Sequence, residues 1–160
     1  MRFKPRTTAL AVAAAVATAA AVAALTPAQT GARDLTVLMK IQGGTEVKHG
    51  KGAKLATGDS LLIRLAMFDT GGARIGSAYT DCTNVGAPAR AENAVFQCTQ
   101  TYRFRDGQLV ISGIVRFSAL DDLRISIVGG SGAYSGASGQ VSSGEPVDGY
   151  DSVDVLHLDG

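Results

Sequence analysis

Apolar side chains recur at every second position in most of the segments that follow residue 34, and this period constrains the fold more than any other feature. A period of two places alternate side chains on opposite faces of a β-strand, whereas an amphipathic helix needs a period of about 3.6. The row Phe96, Cys98, Gln100, Tyr102 and Phe104 shares one face, and every residue between its members is polar. No segment after residue 28 has a convincing helical period, so the chain is predicted to be all-β.

The alternation predicts eight strands. They cover residues 35–41, 61–67, 74–83, 96–104, 109–117, 123–127, 140–143 and 153–158. Asp106-Gly107 is a strong hairpin signal between the fourth and fifth strands. Eight strands with short connections fit an antiparallel barrel or a sandwich, and alternation in nearly every strand favours the barrel, with an interior that is filled or holds a ligand.

The first 28 residues have the pattern of a secretory signal peptide, which is helical when it forms structure. A basic start (Arg2, Lys4, Arg6) precedes an uncharged apolar run over residues 9–25 and a stretch of small residues. We expect cleavage after Ala28, with Ala32 as the alternative site, and a domain over residues 34–160. The protein is therefore predicted to be secreted and extracellular; the alternative is an uncleaved signal that anchors it in the membrane.

The net charge of the chain bears on whether it binds nucleic acid. The precursor carries 15 basic and 14 acidic residues, and removal of the three basic residues near its start leaves a net charge of −2. A nucleic-acid-binding protein needs an excess of basic residues to neutralise phosphates, so nucleic acid is not expected as a partner.

The two cysteines, Cys82 and Cys98, are predicted to form a disulfide. An even number of cysteines in an exported chain favours a bridge. If the third and fourth strands pair about residue 90, the two residues face each other at a separation that allows a disulfide. Two free buried thiols are the alternative, and the sequence offers no histidine at a spacing suited to zinc.

Five glycines lie between residues 129 and 139, in the segment Val128-Gly-Gly-Ser-Gly-Ala-Tyr-Ser-Gly-Ala-Ser-Gly-Gln-Val141. The segment lacks the Gly-Lys-Ser/Thr ending of a phosphate-binding loop and the spacing of a dinucleotide-binding one. It is expected instead to connect two strands through backbone conformations that need glycine.

This segment resembles the signature of the allene oxide cyclase and dirigent superfamily. Further similar pieces follow the same order along residues 58–160: Gly58-Asp59, residues 72–82, 93–96, 106–113 and 156–160. The resemblance implies an eight-stranded antiparallel barrel with a mostly apolar cavity, often in trimers, so a dimer or trimer is expected. It also implies a small hydrophobic ligand whose cyclisation or coupling the barrel steers.

The chain departs from the cyclases at the residues that carry their activity. Lys40 and Gln42 stand where the resemblance implies a Glu and an Asn, and Val115 stands where it implies a Tyr. The cavity cysteine of the cyclases matches Cys82, which a bridge to Cys98 would occupy. The sequence therefore does not decide whether the protein is an enzyme, and it indicates no cofactor.

Several inward-facing side chains are candidates for the ligand cavity. They are Met39, Ile63, Leu65, Phe96, Gln100, Tyr102, Phe104, Val115, Phe117 and His157. The aromatic members could line the cavity or simply fill the core. His157 shares its parity with Val153 and Val155, so it is expected to point inward, where it could act as a general base or be a structural residue.

Two clusters of charged residues are also considered as binding sites. Glu145, Asp148, Asp151 and Asp154 could attract a cation, but they lack the dense spacing of a calcium loop, and no metal site is predicted. The loop with Lys48, His49, Lys51 and Lys54 is either solvated or contacts an acidic partner. The alternative to a ligand-binding barrel is a non-catalytic extracellular structural or interaction domain.

Overall fold

The computed structural model describes residues 32–49, 52, 54–116, 118 and 124–160. The predicted signal peptide and Phe117 lie outside the described residues, as does Lys51 of the basic loop. The described part of the chain contains no helix that is long and apolar enough to cross a lipid bilayer.

Eight strands, β1 to β8, form the structure. They are β1 (Arg33–Val47), β2 (Ser60–Phe68), β3 (Arg74–Asn84), β4 (Phe96–Phe104), β5 (Gly107–Val115), β6 (Arg124–Gly132), β7 (Gly139–Gly144) and β8 (Ser152–Leu158). A short 3₁₀ helix, Ala91–Asn93, lies before β4.

Every strand pairs antiparallel with the next one along the chain, and β1 also pairs with β8, which closes the sheet into a barrel. The closing ladder runs from Arg33 opposite Leu158 to Met39 opposite Ser152. The predicted eight-stranded antiparallel barrel is confirmed, and the predicted hairpin between Phe104 and Gly107 joins β4 to β5. Closure leaves each strand paired on both sides, which a sandwich would not do.

The alternation fills the interior with apolar side chains. Val37, Met67, Tyr102, Leu109 and Leu156 are fully buried. In β4 the inward side chains are Phe96, Cys98, Gln100 and Tyr102 in order, and the two at the ends are fully buried aromatic rings. The middle of this strand therefore faces an interior that is packed above and below.

Two buried polar side chains fasten the connection between β1 and β2 to the barrel. Asp59 accepts hydrogen bonds from the backbone N–H groups of His49 (2.7 Å) and Ala56 (2.8 Å). Asn84 donates to the carbonyl oxygens of Leu55 and Ala56. The backbone donors, that of His49 above all, lower the pKa of Asp59 below its ordinary value of 3.8. These bonds link the connection to the start of β2 and to the end of β3.

The glycine-rich segment forms the end of β6, a tight turn and the start of β7, as the sequence predicts. Gly132 has φ of +63°, which a side chain rarely allows. At Gly139 a Cβ atom would lie 2.0 Å from the carbonyl oxygen of His157. The glycines of this segment therefore allow its backbone to lie close to that of neighbouring strands.

Cys82 and Cys98 are directly opposite each other in the β3–β4 ladder and form a disulfide, with Cα atoms 4.0 Å apart. The predicted bridge is confirmed. It joins two inward positions, so both sulfur atoms belong to the interior of the barrel.

Candidate functional site

The barrel encloses a cavity of about 320 Å³, at the small end of the range for ligand sites. Its walls are mainly apolar and include the disulfide. The apolar lining residues are Met39, Ile41, Ile63, Leu65, Cys82, Cys98, Ile111, Val115 and Ile125. The exposed Glu145, Pro146 and Asp151, from the connection between β7 and β8, lie at its mouth.

One carboxyl group, that of Asp154 on β8, lies inside this apolar space and is 3 % exposed. The hydroxyl of Tyr102 donates to its Oδ2 atom at 2.5 Å, and that of Ser143 donates to its Oδ1 atom at 2.7 Å. The Nε2 amide of Gln100 lies 3.4 Å from Oδ2. Strands β4, β7 and β8 therefore hold the carboxyl group in one position.

Burial sets the protonation of this group. Loss of solvent raises the pKa of Asp154 above 3.8, while the donors on Tyr102, Ser143 and Gln100 act in the opposite direction. Burial, followed by the nearby charge of Asp154, raises the pKa of Tyr102 well above 10. Tyr102 is therefore the proton donor in this hydrogen bond, and Asp154 is the group of the pair that gains or loses a proton at the lower pH.

Thr80 orients the amide of Gln100. The Thr80 hydroxyl donates to Gln100 Oε1 at 2.5 Å, which turns the NH₂ end of the amide toward Asp154 and the sulfur of Met39. Thr80 and Gln100 face each other across the β3–β4 ladder, so the register fixes this contact. The polar side of the cavity is thus a connected network rather than isolated groups.

Five predicted cavity residues line the cavity. They are Met39, Ile63, Leu65, Gln100 and Val115. Sequence reasoning missed Thr80 and Ser143 as cavity residues, and it considered Asp154 only as part of an acidic cluster. The inward parity of Leu156 and Leu158 was the signal that could have placed Asp154 inside the barrel.

Of the two roles expected for the aromatic candidates, cavity wall or core, the described rings have the second. Phe96 and Tyr102 are fully buried in the core and do not contribute to the cavity wall, although the Tyr102 hydroxyl reaches Asp154. Phe104 packs against Tyr134, with ring centroids 4.9 Å apart, beyond Tyr102 along β4. Large rings fill the narrow parts of the barrel and leave the space between them to smaller side chains.

The expectation that His157 points into the barrel is also wrong. Its ring lies on the outer wall with 46 % of the side chain exposed. The inward residues of β8 are Asp154, Leu156 and Leu158, whereas Val153 and Val155 lie on the other face. His157 instead contacts Asp34 and Ser142 on the adjacent strands.

The positions matched to the cyclase Glu and Asn do not face the cavity either. Lys40 and Gln42 are exposed, whereas Met39 and Ile41 between and beside them line the interior. The buried carboxyl group of the cavity belongs instead to Asp154 on β8.

The acidic residues near the end of the chain do not act as a group. Asp154 is buried, Asp151 accepts the backbone N–H of Ile41 at 2.7 Å, and Glu145 lies at the cavity mouth. Within the described residues, no three His, Cys, Asp or Glu side chains are placed to hold a metal ion.

The sequence of this barrel matches a known protein family. Residues 38–152 match the model of the family described as "Allene oxide cyclase barrel like domain". The chain belongs to this family. A search among curated proteins gave no match.

Solved structures with similar barrels include three that perform or steer reactions of small molecules. "Pyocyanin demethylase" is 19 % identical with a TM-score of 0.65, over 79 % of this chain and 99 % of that one. The "pterocarpan synthase dirigent protein PsPTS1" is 18 % identical with a TM-score of 0.55, over 81 % and 96 %. The "Diels Alderase AbmU from Streptomyces koyangensis" is 16 % identical with a TM-score of 0.56, over 82 % and 70 %. At these identities the likeness concerns the fold.

Proposed function

We propose that this protein binds one small, largely apolar molecule in its barrel and steers a cyclisation, coupling or related rearrangement of that molecule. The observation that carries the proposal is the buried carboxyl group of Asp154 on the polar side of a mainly apolar cavity. Such a cavity holds an apolar molecule by its shape and offers it a polar anchor.

The anchor defines the chemistry of the ligand. Oδ1 and Oδ2 of Asp154 accept bonds from Ser143 and Tyr102 and keep lone pairs with which they can bind a further polar group in the cavity. A hydroxyl, carbonyl or ring nitrogen on an otherwise apolar skeleton fits this position. Asp154 would act as the general acid or base, Tyr102 and Ser143 would hold it in place, and the walls would fix the conformation of the ligand.

The similar structures support a reaction of this kind, because they are those of a demethylase, a dirigent protein and a Diels–Alderase. The alternative, a non-catalytic extracellular interaction domain, predicts a barrel packed throughout. The cavity favours the ligand-binding function over this alternative.

Binding is tested with two probes, pyocyanin and the fluorescent dye N-phenyl-1-naphthylamine, which are apolar ring systems with few polar atoms. Val115→Phe fills part of the cavity and should weaken binding of either probe by about tenfold or more. Ile114→Phe is the matched control, since Ile114 is the next residue of β5, lies on the outer wall and is 55 % exposed. Equal affinities of the two variants, or no binding of either probe to the wild type, would contradict the proposal.

The natural ligand is sought by native mass spectrometry of the full-length protein after exposure to culture extract. A recurrent small-molecule adduct that Val115→Phe loses and Ile114→Phe keeps would identify it. Asp154→Asn should retain the adduct and lose its chemical conversion, because the amide keeps the shape and lacks the exchangeable acid. The same spectra give the number of chains per particle and so test the expected dimer or trimer.

A further inference from the structure

A second group of reactive side chains lies on the outer wall of the barrel, on the face of the sheet opposite to the cavity. Nδ1 of His157 is 2.8 Å from Oδ1 of Asp34, and Nε2 of the same ring is 3.0 Å from the hydroxyl of Ser142. The three residues come from β8, β1 and β7, the strands at which the barrel closes.

The partners fix the tautomer of the imidazole ring. A carboxylate only accepts hydrogen bonds, so Nδ1 of neutral His157 carries the proton and donates it to Asp34. Nε2 is then an acceptor and faces the Ser142 hydroxyl, which donates to it. This order of contacts, carboxylate to imidazole to hydroxyl, is the order that activates a serine nucleophile, and it is defined by geometry rather than by sequence.

The barrel holds the arrangement in place. His157 is the Cα partner of Asp34 in the β1–β8 ladder and of Gln140 in the β7–β8 ladder, and Ser142 lies two residues from Gln140 on the same face. All three side chains are reached by solvent, since the side chains of His157 and Asp34 are 46 % and 66 % exposed and Ser142 is exposed.

We propose that Ser142, His157 and Asp34 form an acyl-transfer site on the outer wall of the barrel, with activated carboxylic esters as its substrate class. Ser142 Oγ attacks the ester carbonyl carbon while His157 Nε2 takes the hydroxyl proton. The bond from that carbon to the leaving oxygen breaks, and the leaving alcohol or phenol departs with the proton from His157. Water, activated by His157, then hydrolyses the acyl-serine to the carboxylic acid and free Ser142.

The surroundings of Ser142 limit the substrates. Its backbone is paired with Arg124 on one side and Val155 on the other, within the ladders of the sheet. A pair of free backbone donors for the developing oxyanion is a large part of the power of serine hydrolases, worth a factor of about 10² to 10³ for one donor. A site on a fully paired strand is therefore suited to esters with good leaving groups.

The test uses the full-length protein and a phosphonofluoridate probe, whose fluoride leaves as Ser142 Oγ bonds to phosphorus and His157 takes the proton. Peptide mapping by mass spectrometry should locate the label on Ser142 and not on Ser126, an exposed serine of the neighbouring strand β6. His157→Gln should slow the labelling by about 100-fold. Hydrolysis of p-nitrophenyl acetate should fall in parallel, and Ser126→Ala should change neither rate.

Asp34→Asn tests whether Asp34 orients the ring of His157 or only supports the fold. It should slow labelling by about tenfold or more, because the amide can turn its NH₂ end to the ring and favour the other tautomer. Melting temperatures of all variants confirm that they fold, which is expected for changes at exposed positions. Labelling of Ser142 no faster than of Ser126, or a rate unchanged by His157→Gln, would overturn the proposal without affecting the cavity function.

Discussion

Asp154 occupies a position in β8 where the alternation favours an apolar side chain. Its inward neighbours along the strand are Ser152 and Leu156, and it is more deeply buried than most residues of the barrel. A buried carboxyl group is unfavourable unless donors surround it, and Tyr102, Ser143 and Gln100 supply them. The residue thus breaks the apolar pattern of the inward face while it gives the cavity a buried acid, a combination typical of functional sites.

This arrangement predicts a pH dependence of stability. Because burial raises the pKa of Asp154, the folded protein binds the proton more tightly than the unfolded chain. The stabilisation is complete below the ordinary pKa of 3.8 and is lost as the pH rises through the raised value. The free energy of unfolding of the wild type should therefore fall relative to that of Asp154→Asn as the pH rises from 3.8.

Urea denaturation of both proteins at a series of pH values measures this difference. Asp81→Asn, which removes an exposed carboxylate from the outer wall, controls for the change in net charge. A difference between wild type and Asp154→Asn that is constant with pH would show that burial does not perturb the group.

At the scale of elements, the β3–β4 hairpin and the β6–β7 connection are the parts that the sequence specifies most fully. The cysteine spacing predicts the register of β3 on β4, and the structure pairs Cys82 with Cys98. The glycine motif predicts a backbone connection, and Gly132 and Gly139 have the conformations and contacts that require glycine. In both elements one residue type has one physical role, so the pattern is unambiguous.

Removal of the disulfide by Cys82→Ala together with Cys98→Ala should lower the free energy of unfolding by about 3 kcal/mol, because the closed loop of the unfolded hairpin gains freedom. The two residues are 16 apart in sequence. Guanidinium denaturation measures the loss. Wild type treated with reductant should show a similar loss, and the double variant should not respond to reductant. Unchanged stability would mean that the bridge does not form.

Gly139→Ala should destabilise the barrel by more than about 1 kcal/mol, since its φ of +137° and the carbonyl of His157 leave no place for a Cβ atom. Gly144→Ala is the control in the same strand, because the nearest atom to its added Cβ lies 3.8 Å away. Thermal unfolding compares the two. Similar melting temperatures would show that β7 shifts freely against β8.

Strand β8 shows where sequence reasoning fails. Its residues Val153, Val155, Leu156 and Leu158 place apolar side chains on both parities, so hydrophobicity alone does not choose the inward face. The two β-branched residues suggested the wrong face, and His157 was placed inside in error. The inward face is decided by packing against β7 and against β1, and β1 lies far away in the sequence.

At the scale of the whole molecule, the alternation and the family resemblance predict the barrel fold, but they do not predict the polar groups of its cavity. The closed barrel and its strand order were predictable because each strand pairs with its sequence neighbour. The cavity depends on how side chains from β3, β4, β7 and β8 meet in three dimensions. Thr80, Gln100, Ser143 and Asp154 converge there with no motif linking them in sequence.

Export stays a prediction for the molecule as a whole. Expression of the full-length chain in a bacterium with a general secretion pathway should release a protein that begins after Ala28 or Ala32, because the basic and apolar regions before that point form a signal. N-terminal sequencing and intact mass of the released protein check this. Retention of all 160 residues in the membrane fraction would favour the uncleaved anchor.

The pairing of β1 with β8 has a consequence for the order of events during folding. Arg33 lies opposite Leu158, so the first strand of the barrel finds one of its two neighbours only after the seven later strands have been synthesised. Contacts between such distant residues slow folding, because a long loop must close before they form. The barrel cannot close on the ribosome before β8 has been made, so β1 lacks one of its two neighbours while the six strands between them are synthesised.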